Sequence, residues 1–201
     1  MLWGPADVSI FTIPNLLTYA RMACALGVLI FGSQGRWDIG FPLFCVAAFT
    51  DMVDGSIARI LGQRTRLGAF LDPVAYKLLM FFSILSLTGT GFLPMGLTAL
   101  IIARDLFISV GLVILKVKKV YIIFRPTYLS KLTTFLQLFT VLMALLATQK
   151  ILTLQRTWYV TLWTFVLGAT VLLTTVTGFQ YARIGYRMIH ERAQKDQADR
   201  Q

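Results

Sequence analysis

Six long apolar stretches, separated by short polar segments, make up most of this chain. Each is close to the roughly 20 residues that a helix needs to cross a bilayer. None alternates strictly between apolar and polar positions, and spanning strands would also have to close into a barrel. The pattern therefore predicts an all-α integral membrane protein with six transmembrane helices, at Ile13–Phe31, Ile39–Ile57, Leu67–Leu87, Leu93–Leu115, Tyr128–Thr148 and Trp158–Ala182.

The composition excludes several classes of protein. Of the 201 residues, 57% are hydrophobic and only 14% are charged, and the formal net charge is +10. Soluble domains are about 25% charged, so an ordinary soluble globule, a disordered protein and a nucleic-acid binder on a soluble scaffold are excluded. No nucleic-acid partner is expected. Without visible repeats or linkers, we predict one transmembrane domain over residues 1–185, starting with a short interfacial segment, and a basic tail over residues 186–201.

The basic residues of the loops and the C-terminal tail lie mostly on one side of the predicted topology. Twelve fall on the side that holds the C-terminus and three on the opposite side. Because lysine and arginine concentrate in cytoplasmic loops, both termini are predicted to be cytoplasmic, with the tail on anionic lipid headgroups. Residues 1–12 contain no Lys or Arg, so we expect neither a cleavable signal nor a transit peptide, which favours a bacterial plasma membrane.

Eight charged residues fall inside the predicted spans. An ionised side chain at the centre of a membrane helix costs about 2.5–3.5 kcal/mol, so these residues must pair, bind ions or face water. The acids of spans 2 and 3 and the lysine of span 5 lie in the cytoplasmic half, which predicts a polar cavity open to the cytoplasm. The eight residues are Arg21, Asp51, Asp54, Asp72, Lys77, Arg104, Asp105 and Lys131.

Spacing narrows the chemistry of this cavity. Asp51 and Asp54 are three residues apart and share a helical face, and Asp72 follows on the next, antiparallel helix. Three converging carboxylates suit a hard divalent cation such as Mg²⁺ or Mn²⁺. Cationic side chains and metal ions beside a cytosolic opening are what the transfer of a phosphate-containing group requires.

Small residues interleave with these acids, at Gly55, Ala58 and Gly68. Because they carry no bulky side chains, a flat or phosphorylated ligand could approach the backbone closely. The alternative is structural: small residues pack membrane helices together, and the acids pair with Arg59 or Lys77. Three acids with interleaved glycines and flanking arginines favour the ligand site.

The same residues carry a family resemblance. Asp51-Met-Val-Asp54-Gly55-Ser-Ile-Ala58-Arg59, then Gly68 after eight residues and Asp72 after three more, resembles the CDP-alcohol phosphatidyltransferase signature D-x2-D-G-x2-A-R-x8-G-x3-D-x3-D. Pro14-Asn15-Leu-Leu-Thr18-Tyr-Ala-Arg21 resembles the first-helix motif of that family. Ile101-Ile-Ala-Arg104-Asp105 and Pro126-Thr-Tyr-Leu-Ser130-Lys131-Leu-Thr133-Thr134 are similar to its glycerophosphate and cardiolipin synthase branch.

The resemblance implies an enzyme that displaces CMP from CDP-diacylglycerol with the hydroxyl of an alcohol. It assigns Asp51, Asp54 and Asp72 to a two-metal site for Mg²⁺ or Mn²⁺ that grips the pyrophosphate. Arg21, Arg104 and Lys131 are candidates for binding an acceptor that carries a phosphate, with pairing to Asp105 or to lipid phosphates as the alternative. The positions that would bind the CDP-lipid are Asn15, Thr18, Gly55, Ala58, Arg59, Thr65 and Gly68.

The acceptor alcohol is open between two choices. The branch resemblance implies glycerol 3-phosphate, which gives phosphatidylglycerol phosphate, with a cardiolipin synthase that uses phosphatidylglycerol as the alternative. The alternative from another function class is a non-catalytic membrane protein, either a nucleotide-binding pseudoenzyme or a small transporter. By analogy with the family we expect a homodimer in a membrane, with its active site facing the cytoplasm.

The chain departs from the signature at its last position, where Tyr76 stands in place of a fourth Asp. In the family this Asp binds metal and is thought to take the proton from the attacking hydroxyl. A tyrosine has an unperturbed pKa near 10 and is neutral at pH 7, so it is a poor base and a poor metal ligand. We therefore expect Tyr76, at the catalytic position, to weaken the second metal site and to impair activity. The alternatives are an active chain with a rearranged base and a binding or scaffold role in the membrane.

Overall fold

The computed structural model describes residues 13–60, 66–117, 127–149 and 157–198. Within these ranges the chain is helical apart from short turns, and no strand occurs. The predicted all-α class is therefore confirmed for the described residues. The helices are α1 (Ile13–Ser33), α2 (Trp37–Ile60), α3 (Arg66–Gly89), α4 (Met95–Val117), α5 (Tyr128–Thr148) and α6 (Thr157–Ala198).

Each helix covers one predicted apolar stretch, and most ends differ from the prediction by three residues or fewer. The exception is the C-terminal end of α6, which continues from the predicted Ala182 to Ala198. The added segment is mostly polar, contains no proline and includes three Arg, two Gln and two Ala, which favour helix. The end of an apolar run therefore marks where a helix can leave the bilayer. The helix itself continues as long as its residues favour the helical conformation.

Four segments of these helices are long and apolar enough to cross a membrane: Asn15–Ser33, Leu71–Gly89, Tyr128–Thr148 and Thr157–Met188. They belong to α1, α3, α5 and α6. Together they support an integral membrane protein. The spans predicted at α2 and α4, the cytoplasmic termini and the polar cavity stay predictions.

The contacts of the chain divide it into two compact units, of which unit 1 comprises residues 1–94 and 141–153. In this unit α1 packs against both α2 and α3. Its core contains small and aliphatic side chains from all three helices, among them Ala25, Val28, Ala47 and Ala75. Small side chains let membrane helices approach closely, so van der Waals packing holds this unit together.

Trp37, at the start of α2, ties the ends of several elements of unit 1 together. Its ring is buried, and its indole N–H donates a hydrogen bond to the Thr90 hydroxyl over 3.3 Å. The Gln149 side-chain amide donates to the Trp37 carbonyl over 2.8 Å. The turn before Trp37 needs Gly35, whose φ of 73° lies in the left-handed region.

Unit 2 comprises residues 95–140 and 154–201, and α4 packs against α6 in it. A row of buried polar side chains joins α5 to α6. The Thr140 and Thr170 hydroxyls are 2.9 Å apart, and the Gln137 amide donates to the Thr174 hydroxyl over 3.3 Å. Lipid offers no hydrophobic driving force between helices, so such hydrogen bonds help to hold them together. The apolar periodicity did not predict this polar contact.

Gly32 gives a test of the close packing in unit 1. A Cβ atom at this position would lie 2.9 Å from the Cβ of Ser86 and 2.9 Å from the Trp37 ring. Both neighbours are buried, so we expect Gly32→Ala to destabilise the protein by about 1–3 kcal/mol through overpacking. The measurement is thermal unfolding of the protein in detergent, followed by the loss of the monodisperse peak on size exclusion.

Gly168→Ala is the matched control, because no heavy atom lies within 4 Å of a Cβ at Gly168. Since alanine favours helix over glycine, we expect this variant to be as stable as the parent or slightly more stable. Equal losses of stability for the two variants would contradict the packing argument.

Candidate functional site

One face of α1 carries three buried polar residues. Asn15, Thr18 and Arg21 are spaced three residues apart, so they lie on the same side of the helix. All three are almost completely buried. Because polar groups inside a protein need hydrogen-bond or ionic partners, this face must meet polar groups of other helices.

Thr18 meets Asp72 of α3. The Thr18 hydroxyl donates a hydrogen bond to Oδ1 of Asp72 over 2.8 Å, which joins residues 54 positions apart in the chain. This bond fixes the orientation of the carboxylate against α1. Thr18 was predicted to contact the CDP-lipid, whereas the described contact gives it a role in holding a predicted metal ligand.

Arg21 meets Asp51 of α2. Its guanidinium group is 0% exposed and forms an ion pair with Oδ1 of Asp51, whose side chain is 40% exposed. A buried guanidinium without an anion beside it would be very costly. Arg21 was predicted to bind the phosphate of the acceptor, and that role stays a prediction for a side chain that the structure pairs with Asp51.

Two of the three predicted metal ligands are thus attached to the same turn of α1. Thr18 and Arg21 are neighbours on the helix surface, with Cβ atoms of such pairs about 5–6 Å apart. Asp51 and Asp72 come from different helices but are held by these two neighbours. Both acids whose side chains are described thus contact the same turn of α1, and their convergence on a metal site stays a prediction.

The two described carboxylates, of Asp51 and Asp72, have the chemistry that a divalent cation requires. Asp51 and Asp72 each use Oδ1 in the contact with α1, both side chains are partly exposed, and carboxylate oxygens are the ligands that Mg²⁺ and Mn²⁺ prefer. Among the described side chains, no group of three or more potential metal ligands occurs. The side chain of Asp54, the third predicted ligand, lies outside them.

The remaining predicted CDP-binding residues are only partly described. Gly68 lies in the first turn of α3 and is buried. Gly55, Ala58 and Arg59 belong to α2, but their surroundings lie outside the described part of the chain, as does Thr65 altogether.

Tyr76 lies one helical turn after Asp72 on α3. Residues four apart share a helical face, so the half-buried tyrosine stands on the side of α3 that carries the Asp72 carboxylate. The helix is continuous through Pro73. No insertion or break therefore brings another residue to the last position of the signature.

Unit 2 holds the other two predicted acceptor-binding residues. Arg104 of α4 is buried and donates to Oδ1 of Asp105 over 2.7 Å and to the Ser130 hydroxyl over 3.0 Å. Its guanidinium carbon lies 6.0 Å from the centre of the Tyr181 ring. Its Nε has no hydrogen-bond partner within the described ranges. Both outer nitrogens of Arg104 are thus held by the protein.

Lys131 follows Ser130 in the first turn of α5. The Thr127 hydroxyl accepts a hydrogen bond from the backbone N–H of Ser130 over 3.3 Å, which caps this helix. Lys131 is exposed, and its ammonium lies 5.9 Å from the centre of the Tyr128 ring. An exposed ammonium on a capped first turn is able to meet a soluble phosphate.

Sequence reasoning missed the parts played by Ser130 and Tyr181. Ser130 stood within a quoted motif without a role, and Tyr181 was read as part of an apolar span. The contacts of both with Arg104 link α4 to α5 and to α6. Spacing within one helix carries no information on such contacts between helices.

Comparison with known proteins points to the same family as the signature. The family model described as CDP-alcohol phosphatidyltransferase matches residues 11–183. A probable cardiolipin synthase (CMP-forming) of Drosophila melanogaster is 37% identical over 151 residues, 66% of this chain and 46% of that protein. The cardiolipin synthase (CMP-forming) of Homo sapiens is 34% identical over 168 residues, 72% of this chain and 55% of that protein. The chain thus spans about half the length of these two relatives.

A bacterial relative aligns along more of its length. A probable phosphatidylglycerophosphate synthase of Mycobacterium tuberculosis is 29% identical over 187 residues, which cover 90% of this chain and 84% of that protein.

The contacts of Asp72 generate a test of metal binding that does not depend on turnover. We expect the purified chain to bind Mn²⁺, measured by the loss of the free-ion signal in electron paramagnetic resonance. Asp72→Asn removes a charged ligand and should weaken binding strongly. Thr18→Val keeps the shape of Thr18 but removes its hydrogen bond to Asp72, so we expect a loss of about 10–100-fold.

Asp105→Asn is the control, because Asp105 pairs with Arg104 in unit 2. This variant should bind Mn²⁺ as the parent does. Dissociation constants that Asp72→Asn leaves unchanged would count against a metal site at these carboxylates.

Proposed function

The chain belongs to the CDP-alcohol phosphatidyltransferase family, and on that premise we propose that it transfers a phosphatidyl group from CDP-diacylglycerol to an alcohol and releases CMP. Family membership bears out the resemblance seen in the signature. The observation that carries the proposal is the attachment of Asp51 and Asp72, from two helices, to one buried polar turn of α1. A site that holds two carboxylates in this way is ready to receive a cation and, with it, a pyrophosphate.

We propose that Asp51, Asp54 and Asp72 hold the divalent ions on which the family generally depends. When bound, such ions would neutralise the charge that develops on the phosphoryl oxygens. Thr18 acts on this site by positioning Asp72, and Arg21 acts by holding Asp51. We propose that the other residues of the donor site, Asn15, Gly55, Ala58, Arg59, Thr65 and Gly68, contact the CDP moiety.

The transfer exchanges one phosphorus–oxygen bond for another. The hydroxyl oxygen of the acceptor bonds to the phosphorus that carries diacylglycerol, and the bond from that phosphorus to the bridging oxygen breaks. CMP leaves with the electron pair of that bond, and the hydroxyl of the acceptor gives up its proton. A nearby base that accepts this proton normally accelerates such a step by about 10²–10⁴-fold.

Tyr76 stands at the family position for that base. Because a neutral phenol does not accept a proton at pH 7, we propose that the chain has the architecture of a transferase but slow chemistry. Asp72, one turn before Tyr76, is itself one of the three proposed metal ligands. A carboxylate whose charge is shared with a cation is a weaker base, so Asp72 is a poor replacement for the missing acid.

For the acceptor we propose glycerol 3-phosphate, bound through its phosphate by the exposed Lys131. The relative whose printed name is probable phosphatidylglycerophosphate synthase aligns over 84% of its own length. Because Arg21 is paired with Asp51 and Arg104 with Asp105 and Ser130, these two arginines are weaker candidates for the phosphate than Lys131. The names of the two cardiolipin synthases keep phosphatidylglycerol as the acceptor to be compared.

The apolar helices and the family indicate a membrane protein. We further propose that the site faces the cytoplasm of a bacterial plasma membrane and that the chain is a homodimer. The excess of basic residues on the side of the C-terminus supports this orientation. Labelling of single cysteines introduced in the tail of inverted and right-side-out vesicles tests it.

Restoring the carboxylate tests the role of Tyr76. We expect Tyr76→Asp to release CMP from labelled CDP-diacylglycerol about 100-fold faster than the parent chain, the lower end of what a general base contributes. Tyr76→Phe removes the hydroxyl without adding a carboxylate, so it should show no such gain. Equal release by the parent and Tyr76→Asp would sink the claim that Tyr76 limits the reaction.

Product identification tests the acceptor. We supply Tyr76→Asp with CDP-diacylglycerol and either glycerol 3-phosphate or phosphatidylglycerol, and analyse the lipids by mass spectrometry. The expected product is phosphatidylglycerol phosphate, formed from glycerol 3-phosphate. Formation of cardiolipin instead would show that the acceptor is phosphatidylglycerol. Divalent-dependent CDP binding without turnover, even in this variant, would identify a pseudoenzyme, and absence of such binding would favour a transporter.

A further inference from the structure

A cavity of about 800 Å³ lies in unit 2, between the start of α5 and the C-terminal half of α6. None of the predicted donor or acceptor residues lines it. Its walls are mainly apolar, with Leu129 from α5 and Val176, Phe179 and Ile184 among the residues from α6. A volume of this size is typical of sites for small organic molecules and cofactors.

The lining residues of α6 change character along the helix. They recur at spacings of three and four residues and so form one face. The face begins with Val176 and Phe179 and continues with Gln180, Arg183 and Arg187. An apolar section is therefore followed by two cationic side chains one turn apart, both of which are exposed.

The change coincides with the end of a bilayer-length apolar run. No charged residue occurs between Trp158 and Ala182, and Arg183 is the first after that run. At about 1.5 Å per residue, the 42 residues of α6 extend about 60 Å, twice the roughly 30 Å of a hydrocarbon core. With the predicted span ending at Ala182, we therefore expect the arginines at the level of the lipid headgroups and the apolar section toward the hydrocarbon.

The side of the cavity formed by α5 is held in place. The hydroxyl of Thr127, the residue just before α5, donates a long hydrogen bond of 3.5 Å to the side-chain oxygen of Gln180 on α6, beside the cavity. Leu129 follows in the first turn of α5, which Thr127 caps. The cavity is thus bounded by two helices with a direct contact, not by the surface of one helix alone.

We propose that this cavity binds an anionic phospholipid, with its phosphate between Arg183 and Arg187 and part of an acyl chain against Val176 and Phe179. Complementary charge and the level in the bilayer select this occupant. A soluble phosphate would leave the apolar section without a partner, and an uncharged lipid would leave the two arginines without one. Basic residues near the membrane surface each contribute about 1 kcal/mol of attraction to anionic lipids.

Native mass spectrometry of the full chain tests the proposal without CDP-diacylglycerol or turnover. The chain is released from mixed micelles that contain phosphatidylserine and phosphatidylcholine with the same acyl chains, and the retained lipids are counted. We expect phosphatidylserine to be retained in preference. Arg183→Gln and Arg187→Gln should each lower the ratio of retained phosphatidylserine to phosphatidylcholine about fivefold, the equivalent of ~1 kcal/mol per basic residue.

Arg36→Gln is the matched control, because Arg36 is an exposed arginine of unit 1 and should leave the ratio unchanged. Val176→Trp, which keeps both arginines but fills the apolar section, should reduce retention and serves if an arginine variant does not fold. Equal retention of the two lipids by the parent chain would overturn the proposal, as would equal effects of Arg36→Gln and Arg183→Gln. Displacement of phosphatidylserine by millimolar inorganic phosphate would show a soluble-anion site instead.

The test of lipid binding is independent of the proposed transferase activity. The binding assay contains no CDP-lipid and no divalent ion, and none of its variants changes a contact of Asp51 or Asp72. A chain that lacks turnover but retains phosphatidylserine would support this inference alone, and the reverse result would leave only the transferase.

Discussion

A guanidinium group with no exposure to solvent, in a helix apolar enough to cross a membrane, needs an anion beside it. In this protein that guanidinium belongs to Arg21, and the anion is Asp51. Burial of the guanidinium alone would cost several kcal/mol, so its pairing with Asp51 constrains how α2 lies against α1. The neighbouring bond between Thr18 and Asp72 does the same for α3. The helix that packs against both partners thus also orients their carboxylates.

This arrangement sets limits on the charge of the site. In the proposed site, the three signature carboxylates and Arg21 carry a formal charge of −2, which a single divalent ion would balance. A second ion would add charge that a bound pyrophosphate or a further acid would have to offset. With Tyr76 in place of the fourth acid, we expect that offset to come from the substrate. On this proposal, the tyrosine couples occupancy of the second metal site to binding of the CDP-lipid, in addition to replacing the proposed base.

The helices could be predicted from the sequence, whereas the side-chain partners between helices could not. The helices followed from apolar run lengths, because the bilayer sets the length of a span. All six N-terminal helix ends and five of the six C-terminal ends fell within three residues of the prediction. The extension of α6 did not, because a helix continues past the bilayer when its residues favour it. The convergence of Asp51 and Asp72 was predicted from spacing, but their partners Arg21 and Thr18 were assigned to ligands. Spacing shows which side chains share a face of a helix, but it does not show which residue of a neighbouring helix each of them pairs with.

The roles of the arginines also depend on their surroundings, because the same side chain has different partners in different parts of the fold. Arg21 is buried and neutralises a carboxylate. Arg104 is also buried, but it divides its donors between Asp105 and Ser130, so it joins α4 to α5 as well as carrying charge. Arg183 and Arg187 are exposed at the end of an apolar run, where the membrane itself supplies anions. The net charge of +10 is therefore the sum of separate local requirements, and burial distinguishes the arginines that hold the fold from those that remain open to a ligand.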